Sequence, residues 1–86
     1  MQIEGAILKE QGVTFAIVVV KSHVLNSSVQ CDDARNSFRS IFPGVPIILM
    51  AQDHRGIPTY QGRKDIVGFL SNVHISQIPW KRYNVN

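Results

Sequence analysis

Two stretches rich in β-formers open the chain, Ile3 to Leu8 and Val13 to Val20, separated by the turn "KEQG". Gly12 suits the left-handed backbone that a tight turn demands, so the pair reads as a hairpin. The second stretch, "VTFAIVVV", does not alternate apolar with polar residues. A strand of that kind is covered on both faces, which places it at the centre of a sheet. A polar connection, "KSHVLNSS", leads to a helix whose apolar positions Cys31, Ala34, Phe38 and Ile41 recur at three and four residues. Ser27 and Gln30 have capping-box spacing, Asp32 and Asp33 put negative charge in the first turns, and "FPG" at 42–44 predicts the end.

The second half repeats the theme. "VPIILMA" is another unbroken apolar run, with Pro46 tolerable as the first residue of a strand. "QDHRG" predicts a turn and "IPTY" a strand, which Pro58 confines to a sheet edge because it lacks a ladder donor. A helix follows from Gly62, with Ile66, Phe69, Leu70 and Val73 on one face. If Gly62 is the N-cap, Asp65 takes the third helical position. Residues 74–86 form a tail, read as a short strand or an irregular arm. The expected order is ββαββα plus this tail, in one domain over 1–86, without repeats or low-complexity segments. The expected class is α/β, with α+β as the alternative, and a mixed sheet of four or five strands with two helices. Joining the two apolar strands through a helix predicts a parallel pair. The helices then either lie on opposite faces or share one face, and in the second case another subunit must cover the other, giving a homodimer.

Composition narrows the classes. Of 86 residues, 44% are hydrophobic and 17% charged, which excludes a disordered chain and supplies material for a single core. Nine Lys and Arg against six Asp and Glu give a net charge of +3, compatible with nucleic acid or acidic partners but too dispersed to select one. Cys31 is the only cysteine, so an intrachain disulfide is excluded and a reducing compartment fits. The N-terminal sequence lacks signal-peptide features, and the longest apolar run, Phe15 to Val20, is too short to cross a bilayer. A soluble, cytoplasmic protein without membrane association is expected.

Several groups of residues carry candidate chemistry. Arg63 and Lys64 stand where a helix begins, an end that is itself positive. With Gly62, and with Arg55 from the neighbouring turn, they form a candidate anion-binding corner. The plain alternative has the cations facing water while Asp65 serves the helix. Lys21, His23, Asn26, Ser27 and Ser28 lie where ligands of parallel sheets gather, although Ser and Asn there are also ordinary turn and capping residues. Cys31 is either a reactive thiol near a helix start or, from its place on the apolar stripe, a buried one. In the tail, Trp80, Lys81, Arg82 and Tyr83 mix aromatics with cations. Such a mixture stacks on bases and neutralises phosphates, anchors a C-terminus, or meets a protein partner. His23, His54 and His74 lack the spacing of a zinc motif, and no catalytic triad or paired-carboxylate site is legible. No metal and no cofactor are expected.

The stretch "GVPIILMAQDHRGIPTYQGRKDIVGFLSNV" resembles the C-terminal hairpin and helix of thioredoxin-like proteins over residues 44–73. The resemblance implies that Pro46 matches the family's cis-proline and that helix 28–41 carries its redox motif at the start. There "SVQC", Ser28 to Cys31, puts serine where the family has its attacking cysteine, so ordinary dithiol exchange is not implied. A small non-enzymatic binding or regulatory module is therefore the expected function, with self-association or a protein partner. A thiol-dependent redox protein using Cys31 and a nucleic-acid-binding domain are the two rival classes.

Overall fold

The first two strands, β1 (Gln2–Glu10) and β2 (Val13–Val19), pair antiparallel from Glu10↔Val13 to Gly5↔Val18 in a computed structural model that describes residues 2–85. Gln11 and Gly12, at φ 50° and 79°, make the two-residue turn whose twist matches that of the strands. The chain then forms α1 (Ser22–Leu25), α2 (Ser28–Phe38), β3 (Ile47–Gln52), β4 (Pro58–Gln61), α3 (Lys64–Leu70), a single 3-10 turn (Ile75–Gln77) and β5 (Lys81–Asn84). Strand β3 runs parallel to β2, with Ala16↔Ile47 and Val19↔Met50 as the limits of their register, while β4 and β5 are antiparallel to β3 and β1. The result is an α+β fold on a mixed five-stranded sheet of order β4-β3-β2-β1-β5. Its radius of gyration, 12.0 Å, matches the roughly 12 Å expected of a compact chain of this length.

The unbroken apolar runs have the predicted cause. Strand β2 is the middle of the five, and the pleat sends Ala16 and Val18 to one face and Phe15 and Ile17 to the other. On the first face Cys31 and Phe38 of α2 close over Ala16, Val18, Ile47 and Leu49. On the second, Ile66 and Leu70 of α3 close over Phe15, Ile17, Ile48 and Met50. The helices therefore lie on opposite faces, and no face needs a second subunit to cover it. At about 25 cal/mol per Å² of apolar surface, each fully buried Leu, Ile or Phe contributes about 1.5–3 kcal/mol. No helix among the described residues is long and apolar enough to cross a membrane.

Three local expectations need correction. The polar connection after β2 contains α1, capped by no side chain and tied to the end of β3 by Ser22 Oγ donating to Gln52 O at 3.4 Å. Helix α2 begins as predicted, with Ser27 Oγ accepting from Gln30 N–H at 3.2 Å, but ends at Phe38 rather than Ile41. Ser37 and Ser40 compete for nearby carbonyls there, and Ile41 N–H and Phe42 N–H both close on Phe38 O. Strand β3 starts at Ile47, after Pro46, whose carbonyl accepts from Ala16 N–H at 2.9 Å. The tail takes the expected short-strand alternative: a 3-10 turn leads into the edge strand β5, where Tyr83 meets Phe42 edge-to-face at 4.9 Å. Gly5 lies beside that contact, and its need for glycine comes from the strand: a Cβ at this position would stand 2.7 Å from Ile17 O.

Candidate functional site

Gly62 is not the cap of α3. Arg63 is the N-cap residue, with Lys64 first and Asp65 second in the helix. Gly62 instead makes a close approach: a Cβ at this position, whose φ is 154°, would lie 2.6 Å from Ile48 Cδ1 and 3.2 Å from Arg35 Nη2. The chain passes over the start of β3 at Gly62, and the helix forms only after it has done so.

The residue beneath, Arg35, went unrecognised in the sequence. It projects from α2, half-buried, and its Nε donates to Ile47 O at 2.9 Å while Nη2 donates to Gln61 O at 2.8 Å and to Gln61 Oε1. One guanidinium thus ties a helix to the beginning of β3 and the end of β4. Arg39 follows one helical turn later, exposed, with Nη1 donating to Asn36 Oδ1. Arg63 approaches from the β4–α3 junction, its Nε donating to Asp65 Oδ1 at 2.8 Å with both side chains more than half exposed. Arg35, Arg39 and Arg63 line one open groove of about 370 Å³, together with Val45, Pro46, Ile47, Gln61 and Gly62. No carboxylate is among its lining residues. The Arg63 guanidinium holds the Asp65 carboxyl below its ordinary pKa, chiefly through their hydrogen bond.

The groove gathers only part of the expected anion-binding corner. Gly62 and Arg63 line the groove, Lys64 is exposed and does not line it, and Arg55 lies at the far end of the β3–β4 hairpin. Four residues of β4 at about 3.3 Å each separate them by about 13 Å. Arg55 is instead part of a turn organised by Asp53, whose Oδ1 accepts from Arg55 N–H at 2.8 Å and Ile57 N–H at 3.0 Å and whose Oδ2 meets Arg55 Nη2 at 3.3 Å. These bonds, led by the one from Ile57, hold the Asp53 carboxyl below its ordinary pKa. A signal for the two missed arginines did exist: Arg35 and Arg39 are spaced i, i+4 beside the apolar stripe, so one helix face carries two like charges.

The remaining candidates separate. Ser28, Cys31 and Pro46 are not brought together: Ser28 starts α2 near the carboxyl ends of β2 and β3, whereas Pro46 precedes β3 at its amino end. Cys31 is buried at 1% exposure and donates to Val24 O at 3.2 Å, and no peptide bond among the described residues is cis. In the loop after β2, Lys21 and His23 are exposed, Ser27 caps α2, and Asn26 shares a shallow depression with Ser22, Gln52 and Asp53. The pleat divides the tail: Trp80 packs into the α3-side core and donates from Nε1 to Ile75 O at 3.0 Å, while Tyr83 packs into the α2-side core. Lys81 and Arg82 are exposed in β5 opposite Gly5 and Glu4. The four tail residues consequently present no single surface. Tyr60, whose phenol pKa burial raises and whose hydroxyl has no partner among the described residues, belongs to the α3-side core, across the sheet from Arg35. No group of three or more His, Cys, Asp or Glu side chains that could hold a metal occurs among the described residues. No protein-family model, curated protein or solved structure gives a significant match to this chain.

Proposed function

We propose that this protein is a small binding module whose ligand is an anion, held in the groove at the amino end of β3. One observation supports the reading above the others: three guanidiniums from two separate elements line a single groove that no carboxylate shares. Three like charges with a single carboxylate partner, Asp65 on Arg63, cost stability unless a counter-charge arrives, so the arrangement favours an anionic occupant. Arg35 is positioned by its bonds to two backbone carbonyls, which removes most of the entropy cost of ordering it on binding. The lining consists of arginine, glutamine, glycine and apolar side chains, none of which exchanges a proton near neutral pH. Holding an anion, rather than transforming one, suits that set.

The test is an amide NMR titration at low salt with inorganic phosphate and, separately, a mixed single-stranded oligonucleotide pool. Saturable shifts at Arg39, Gly62 and Arg63 are expected with phosphate. Arg39→Ala and Arg63→Ala should each weaken binding about 3- to 10-fold, since a charge-assisted contact at a partly exposed site contributes about 1 kcal/mol. Arg55→Ala should leave it unchanged. Absence of shifts at the groove, or equal loss in Arg55→Ala, would remove the reading; shifts confined to Lys81 and Arg82 with the oligonucleotide would move the site to β5.

A further inference from the structure

The way Arg35 distributes its five N–H donors goes further than charge. Part of the guanidinium is spent on the fold, with Nε on Ile47 O and Nη2 on Gln61 O. Nη2 also contacts the Gln61 side-chain oxygen, while Nη1 has no protein acceptor among the described residues. The end fork of the guanidinium, Nη1 with Nη2, is the edge that grips two oxygens of one oxyanion. A neutral carboxamide lies against its Nη2 side.

We propose that Gln61 is an internal stand-in for a ligand oxygen, and that the ligand which displaces it is a phosphate monoester bearing an apolar group; this rests on the anion-site reading above. Gln61 ends β4, so its backbone carbonyl stays on Arg35 while its side chain is free to swing out. A phosphate oxygen replacing the carboxamide exchanges a neutral hydrogen bond for a charge-assisted one and lets Arg35 hold two oxygens. A third oxygen remains for Arg63, whose Nη groups have no hydrogen-bond acceptor among the described residues, or for Arg39. A monoester carries the charge, about −1.5 to −2, and the three acceptor oxygens that this donor set matches, whereas a carboxylate has one charge and two oxygens. The groove, at about 370 Å³, exceeds a bare phosphate, whose five heavy atoms fill on the order of 100 Å³ if scaled from the volume of water. Val45 and Pro46 supply an apolar wall for the rest of the ester.

The experiment compares phenyl phosphate, inorganic phosphate and benzoate by calorimetry and amide NMR on the parent protein, Gln61→Ala, Gln61→Glu and Arg39→Ala. Phenyl phosphate should bind tightest. Gln61→Ala should tighten it about 3- to 10-fold, and Gln61→Glu, which puts a fixed carboxylate on Arg35, should abolish it. Gln61→Ser, too short to reach Nη2, serves as the second variant if Gln61→Ala does not fold. Unchanged or weaker binding in the shortened variants, with the parent still binding and Arg39→Ala still impaired, overturns the stand-in role and leaves the anion site standing. Benzoate or inorganic phosphate binding as well as phenyl phosphate overturns the ligand class. Absence of binding by every variant overturns both the stand-in and the site.

Discussion

The two ends of the β3–β4 hairpin carry the same kinds of residue and use them in opposite ways. At the closed end, Asp53 takes up the charge of Arg55 and two backbone N–H groups, so the turn is electrostatically self-sufficient. At the open end, Arg35 is tied to carbonyls rather than to a carboxylate, Arg39 to an amide, and only Arg63 has an acidic partner. Each end also has a glycine with positive φ, Gly56 at 81° and Gly62 at 154°. The contrast teaches that an arginine beside a glycine is no site by itself; what separates the ends is whether the fold already supplies the counter-charge. Ligands of parallel sheets usually gather at the carboxyl ends of strands. Here the groove lies at the amino end of β3, because that is where the charge is left open.

The sharpest way to break the comparison is through its glycines. Gly56→Ala meets nothing closer than Gln52 Nε2 at 3.9 Å and bears only the backbone cost of its φ, about 1 kcal/mol. Gly62→Ala adds to a comparable backbone cost a methyl placed 2.6 Å from Ile48 Cδ1, and overpacking of that kind costs about 1–3 kcal/mol. A total loss of about 2–4 kcal/mol is expected in urea unfolding, together with altered Arg35 and Ile47 signals. Equal losses at the two positions would show that the chain relaxes around Gly62 and that the close approach is not what holds the groove in shape.

Arginine replacements sharpen the same contrast with a smaller effect. Arg35→Ala removes the donors to Ile47 O and both Gln61 acceptors, and half-buried carbonyls left unpaired cost about 1–3 kcal/mol. Arg35→Lys should restore little of this, because one ammonium does not reproduce the fork. Arg55→Ala, at 67% side-chain exposure, should change stability by less than about 0.5 kcal/mol. Thermal unfolding of the three variants distinguishes the ends; a neutral Arg35→Ala would mean that its bonds add nothing to the fold.

Why the fold was legible and the groove was not follows from the same residues. Phe15 to Val18 and Ile47 to Met50 have no polar interruption, and burial on both faces of a central pair is the only use a small sheet has for them. Pro58 and the turn at Gln11 and Gly12 declare an edge and a hairpin by local stereochemistry. Arg35, by contrast, acquires its role from Ile47 and Gln61, 12 and 26 positions away, and no local pattern reports that pairing. Gly62 was noticed, but a glycine before a helix suggests a cap unless the side chains under it are known. The tail misled for a related reason: alternation of aromatic and cationic residues looks like one surface in a list of letters, and a strand sends alternate residues to opposite faces.

The smallest expected effect separates the two carboxylates by what lowers them. Asp53 and Asp65 both lie below their ordinary pKa, so each favours the folded state when ionised. That contribution is complete above the ordinary carboxylate range, around pH 4, and is lost as pH falls through the lower folded-state value. Asp53→Asn and Asp65→Asn should therefore be slightly less stable than the parent at neutral pH and converge with it in acid. For Asp53 the leading cause is a backbone N–H that stays in place at any ionic strength, while for Asp65 it is an exposed Arg63 side chain that salt screens and an anion can recruit. Carboxyl carbon titrations in added salt should raise the Asp65 pKa and leave that of Asp53 nearly still. Phosphate at matched ionic strength should raise Asp65 further, since a second anion on Arg63 both repels the carboxylate and competes for its donors. If phosphate moves Asp65 no more than sodium chloride does, Arg63 belongs to Asp65 alone, and the charge left open at this end of the hairpin is that of Arg35 and Arg39.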